Sequence, residues 1–133
     1  MTGKDASARA HAAEWVARAE EDYRAAVALE AGDVPNVICF HCHQCIEKYL
    51  KAVLTVLGEA APRTHDLVLL NETAEAHDAG FAPLYEMLES LNPHAVITRY
   101  PGAKDSVEEA QKALEAMRSL RTELRSWIEA QGS

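Results

Sequence analysis

Glycine and proline punctuate this chain, and their placement constrains the fold more than any other feature. Gly32 and Pro35, Gly58 and Pro62, Gly80 and Pro83, Pro93, and Pro101 with Gly102 fall between periodic segments rather than inside them. Proline removes a backbone donor and clashes with the preceding helical turn, while glycine costs backbone entropy within a helix, so both mark breaks. The intervals between them are residues 6–31, 36–57, 66–78, 83–100 and 105–130. Ala, Leu and Glu dominate these intervals, and all three favour helix. No alternating run of polar and β-branched residues is bounded by hairpin turns. The expected fold is all-α, an antiparallel up-and-down bundle of four to five helices. It forms a single domain over 1–133, with a core from about 6 to 130.

A length of 133 residues is enough to bury a core without disulfides or a structural metal. The net charge of −8 argues against wrapping DNA, which depends on counterion release by many basic side chains. Met1 to Trp15 contains no continuous apolar stretch of the secretory kind, and no segment has the length of a membrane span. The three cysteines, Cys39, Cys42 and Cys45, are too close together to make a disulfide framework. A reducing cytoplasm is the expected compartment.

The last interval reads as an amphipathic helix. Ser106 and Glu109 fit a capping box, and Val107, Ala110, Leu114, Met117, Leu120, Leu124 and Trp127 recur at steps of three and four. In the second interval, Ile38, Cys42, Cys45, Ile46, Tyr49, Leu50, Val53 and Leu57 share one broad face. Phe40, Gln44, Glu47, Lys48 and Lys51 cluster opposite. Phe40 is an aromatic ring among polar side chains: either an ordinary exposed residue or part of a subunit or ligand interface with Gln44 and Glu47. In the first interval, Asp22 follows Trp15 and Ala19 toward the packed side, either bridging to another helix or serving a site.

Cys39, His41, Cys42, His43 and Cys45 crowd seven positions, but their helical pairs point in different directions and no second pair completes a tetrahedral set. They read as core side chains, with neither metal nor cofactor expected. Buried thiols are also poor nucleophiles. No GxSxG elbow, phosphate loop or GxGxxG turn occurs, so catalytic residues of those kinds are absent. Thr64 or Asp66 is placed to cap the third interval, with His65 beside it. Arg99 and Tyr100 form a corner before Pro101. There an Arg fork and a ring either grip phosphate or carboxylate, or simply close a helix.

In succession these features resemble the HEPN domain in its small stand-alone prokaryotic form, over about residues 10 to 130. The run carrying Gln44, Glu47, Lys48 and Lys51, the loop Thr64-His65-Asp66-Leu67, and the segment Thr98-Arg99-Tyr100-Pro101 carry the resemblance. It implies a two-fold homodimer, association with nucleotides, and pairing with a minimal nucleotidyltransferase in a toxin–antitoxin system. Many relatives are metal-independent ribonucleases marked by an Arg, four to six residues, then a His. No Arg here is followed by a His at that spacing. The expected function is therefore a non-catalytic nucleotide- or partner-binding module, with Asp22, Lys48, Lys51, His65, Arg99 and Tyr100 as ligand-binding candidates. The rival is a divergent ribonuclease using His65 or His43 as general base and Arg99 against phosphate. A third reading is a complex-forming partner with no small ligand.

Overall fold

The computed structural model describes residues 3–96 and 105–131, with side chains from residue 6 onward. Five α-helices make up most of it: α1 (Gly3–Ala28), α2 (Pro35–Val56), α3 (Leu67–Glu75), α4 (Tyr85–Leu91) and α5 (Val107–Gln131). Short 3₁₀ turns cover Ala79–Leu84 and Asn92–His94, and no strand occurs among the described residues. The architecture is an all-α helical bundle, and no described helix is long and apolar enough to cross a membrane.

Cross-helix partners give the directions. Trp15 lies beside Lys51, Glu20 beside Tyr49, and Asp22 beside Lys48 and His41, so α1 and α2 are antiparallel. Glu30 meets Arg118 and Glu20 meets Arg121, so α1 is antiparallel to α5 as well. Helices α2 and α5 therefore run the same way, and α3 with α4 supplies the return leg between them. That leg is fragmented where one or two continuous helices were expected. Pro83 and Pro93 each deny a helical donor, so 3₁₀ turns stand where α-helix would otherwise continue.

The helix ends follow local chemistry. Pro35 begins α2, where its missing N–H costs nothing. At the other end Gly58, at φ +81°, closes a Schellman motif: its N–H reaches the Thr55 carbonyl, and the Glu59 N–H reaches that of Leu54. Asp66 caps α3, accepting from the Val68 and Leu69 N–H groups at 3.0 and 3.3 Å. Ser106 and Glu109 form the capping box of α5, with the Glu109 N–H donating to Ser106 Oγ at 3.0 Å.

The core draws on all five helices: Ala19, Ile46, Leu50, Leu70, Leu88 and Leu114 are fully buried within one cluster. Each buried leucine or isoleucine contributes about 1.5–3 kcal/mol. Two expectations need correction here. Val107, placed on the buried stripe of the last helix, is 62% exposed, because it opens the first turn of α5 and lines an open groove with the start of α2. Glu47 and Lys51, placed on the exposed side of α2, are 4% and 9% exposed. The polar side of α2 is covered too, by α1 on one flank and the loop before α3 on the other.

Candidate functional site

Between Ile38 and Thr55, the turns of α2 are buried at every position except Phe40, His41, Gln44 and Lys48. Phe40, Gln44 and Lys48 follow at steps of four, so they form one half-buried stripe along a helix otherwise enclosed. His41 stands beside it, its ring edge-on to Phe40 at 5.5 Å. The stripe is bordered by two polar clusters, each anchored by a buried carboxylate.

The first anchor is Asp22 on α1, 8% exposed. Its Oδ1 accepts from His41 Nδ1 at 2.8 Å, and its Oδ2 accepts from Lys48 Nζ at 2.5 Å. The bridging role open to Asp22 in the sequence is thus realised, and Lys48 has its charge balanced from within. The second anchor is Glu47. Its Oε2 accepts from Lys51 Nζ at 3.2 Å and its Oε1 from His65 Nδ1 at 2.7 Å. Lys51 also lies 5.5 Å from the Trp15 ring centre, a cation–π contact. The His65 side chain is 66% exposed, so a carboxylate orients an imidazole open to solvent. Behind it, the buried His43 donates from Nε2 to the His65 carbonyl at 2.9 Å. Burial pushes the His43 pKa down, outweighing the Glu47 carboxylate nearby.

Of the expected ligand residues, Asp22, Lys48, Lys51 and His65 therefore gather along the two flanks of the α2 stripe. Arg99 and Tyr100 lie outside the described residues. Phe40 and Gln44 are on the stripe itself, whereas Glu47 is turned inward as the second anchor.

A family model, the HEPN domain, matches residues 12–127. The chain belongs to the HEPN domain family. The structure is also similar to the crystal structure of an archaeal HEPN homologue, at a TM-score of 0.72 and 20% identity. That match covers 88% of this chain and 97% of the other. It carries the fold alone. A search of curated proteins gives no match.

A third charge network locks the HEPN bundle on the side where α1, α2 and α5 meet. Glu20 takes a fork from Arg121, Nε at 2.7 Å and Nη2 at 2.6 Å, together with the Tyr49 hydroxyl at 2.5 Å and Arg125 at 3.3 Å. The Arg121 hydrogen bonds, reinforced by Tyr49, hold the Glu20 carboxyl down to about 2. Arg118 is taken by Glu30 at 3.0 Å. Each of these α5 arginines is thereby engaged by a carboxylate of α1 or of the turn that follows it.

The sequence did not bring distant residues to the cysteines. Cys42 and Cys45 are core side chains, and burial pushes the Cys42 thiol up to about 12. Cys39 is different. Its thiol stands with His94, from the turn after α4, and Asp105, two residues before α5. Helical spacing within residues 39–45 carries no sign of a group spread over 67 positions of chain.

Proposed function

We propose that this HEPN chain is a non-catalytic homodimeric module that binds a nucleotide, or a nucleotide-bearing nucleotidyltransferase, over the α2 stripe and the Arg99 corner. The observation that carries this reading is the stripe itself: Phe40, Gln44 and Lys48 are left half-open on the most enclosed helix of the bundle. An aromatic, an amide and a cation at four-residue steps offer stacking and hydrogen bonding to a polar ligand or partner. Lys48 is held by Asp22 at the edge of the stripe, so it presents a fixed donor rather than a diffuse basic field, in keeping with the net charge of −8, while the enclosed Lys51 and Glu47 brace the helix behind it. A role with a nucleotidyltransferase in a toxin–antitoxin pair fits a chain of this family and size.

HEPN domains commonly dimerise, and a two-fold interface repeats each contact twice, so Phe40 contributes at two symmetric places. Light scattering on the eluting protein is expected to give twice the 14.6 kDa chain mass at micromolar concentration. A mass of one chain would remove the dimer from the account.

One observation favours the ribonuclease reading: the Glu47–His65 pair resembles an oriented general base. Against it stands the commitment of Arg118, Arg121 and Arg125 to carboxylates of the same chain. A phosphate-stabilising arginine beside His65 would have to come from elsewhere.

A further inference from the structure

We infer that Cys39, His94 and Asp105 form a binding site for a divalent transition metal of the zinc class, joining the start of α2 to the turn after α4 and the entry of α5. The three ligand atoms all lie within 4.8 Å of one another. His94 Nδ1 and Asp105 Oδ2 are already 3.5 Å apart. Tetrahedral zinc, with bonds of about 2.0–2.3 Å, separates its ligand atoms by about 3.3–3.8 Å. Small side-chain rotations therefore close the set, and two of its members are already at the required spacing.

The chemistry of the donors selects the ion. One thiol, one imidazole and one carboxylate suit zinc, cobalt or ferrous iron, and disfavour the all-oxygen preferences of magnesium and calcium. Three protein ligands leave a fourth place for water. An adjoining cavity of about 260 Å³, lined in part by His94, Asp105, Glu109 and Lys112, gives that position room. The backbone around the site is braced independently of any ion, because the Asn36 side-chain oxygen accepts the Asp105 N–H at 2.6 Å.

Metal binding takes the cysteine as thiolate and the aspartate as carboxylate, so it releases protons and strengthens as pH rises. In sequence, His94 and Asp105 bracket residues 95–104, which contain Arg99, so the same ion would tether both ends of that segment.

The test is a cobalt(II) titration of chelator-stripped, gel-filtered protein, followed by displacement with zinc(II). The expected result is one cobalt per chain with thiolate-to-cobalt charge-transfer absorption, removed by one equivalent of zinc, and a higher melting temperature for the loaded protein. Cys39→Ser should abolish that absorption, while Cys42→Ser, a core control, should keep it. His94→Gln and Asp105→Asn should weaken binding by at least roughly tenfold. Asp105→Asn keeps the size and hydrogen-bonding capacity of the side chain, so it reads the site even where Cys39→Ser fails to fold by circular dichroism. Cobalt binding without the thiolate absorption, absorption that survives in Cys39→Ser, or unchanged affinity in a folded Asp105→Asn would overturn the site.

Discussion

Glu20→Gln is expected to lower the folding stability by about 2–3 kcal/mol, a fall of roughly 10 °C in melting temperature at fixed protein concentration. Glu20 accepts from Arg121, Arg125 and Tyr49 together, and Arg125 alone has a second carboxylate, Glu129 at 3.7 Å, so Glu20→Gln leaves the Arg121 guanidinium and the phenol facing an amide. The depression of its pKa from 4.5 to about 2 converts to about 3 kcal/mol, and solvent screening at Arg125 reduces the net figure. Linkage fixes the pH dependence. A carboxyl with a lowered folded pKa stabilises fully above its unfolded value and loses that contribution as pH falls toward the folded one. The wild-type chain should lose stability between about pH 5 and pH 2 on this account, and Glu20→Gln should show a shallower slope there. Parallel acid melts of the two proteins would show no difference in slope if the network contributed nothing.

The second large effect is expected at Glu47. Its side chain and that of Lys51 are 5% and 11% exposed, so Glu47→Gln leaves an ammonium enclosed without its counter-charge. Removing one member of a buried pair costs about 3–5 kcal/mol, and the retained amide oxygen brings the expectation to about 3 kcal/mol. Replacing both partners, Glu47→Gln with Lys51→Met, should recover part of the loss, because the stranded charge is gone. Urea unfolding of Glu47→Gln, Lys51→Met and the double variant measures the cycle. A loss under about 1 kcal/mol in the single variant would show that Lys51 finds water or the Trp15 ring sufficient.

Helices and their ends are written locally, which is why the sequence exposed them. The capping box of Ser106 and Glu109, the Asp66 cap and the break at Gly58 each depend on residues within one or two turns. The membership of the HEPN family was legible in the order of its motifs, and it is borne out by the match over residues 12–127. Burial of Glu47 and Lys51 was not legible, because a helical wheel treats polar residues as outward-facing. Whether a charged face is covered depends on distant partners, here Trp15 and His65. The same limit hid Cys39, whose companions His94 and Asp105 arrive through the folding of the return leg. Conversely, Asp22 was legible because a carboxylate two turns from Trp15, on a face shared with Ala19 and Ala26, has to find a partner indoors.

Titration calorimetry of ATP into the wild-type chain and into Arg99→Lys separates a nucleotide-binding module from a helical bundle without a ligand. An arginine fork can grip a phosphate in two places, and lysine keeps the charge while losing that geometry. Saturable nucleotide binding by the wild type is expected, weakened by about 1–3 kcal/mol in Arg99→Lys, with the melting temperature of the variant nearly unchanged. No saturable heat with the wild-type protein, or an unchanged affinity in Arg99→Lys accompanied by a lowered melting temperature, would contradict it.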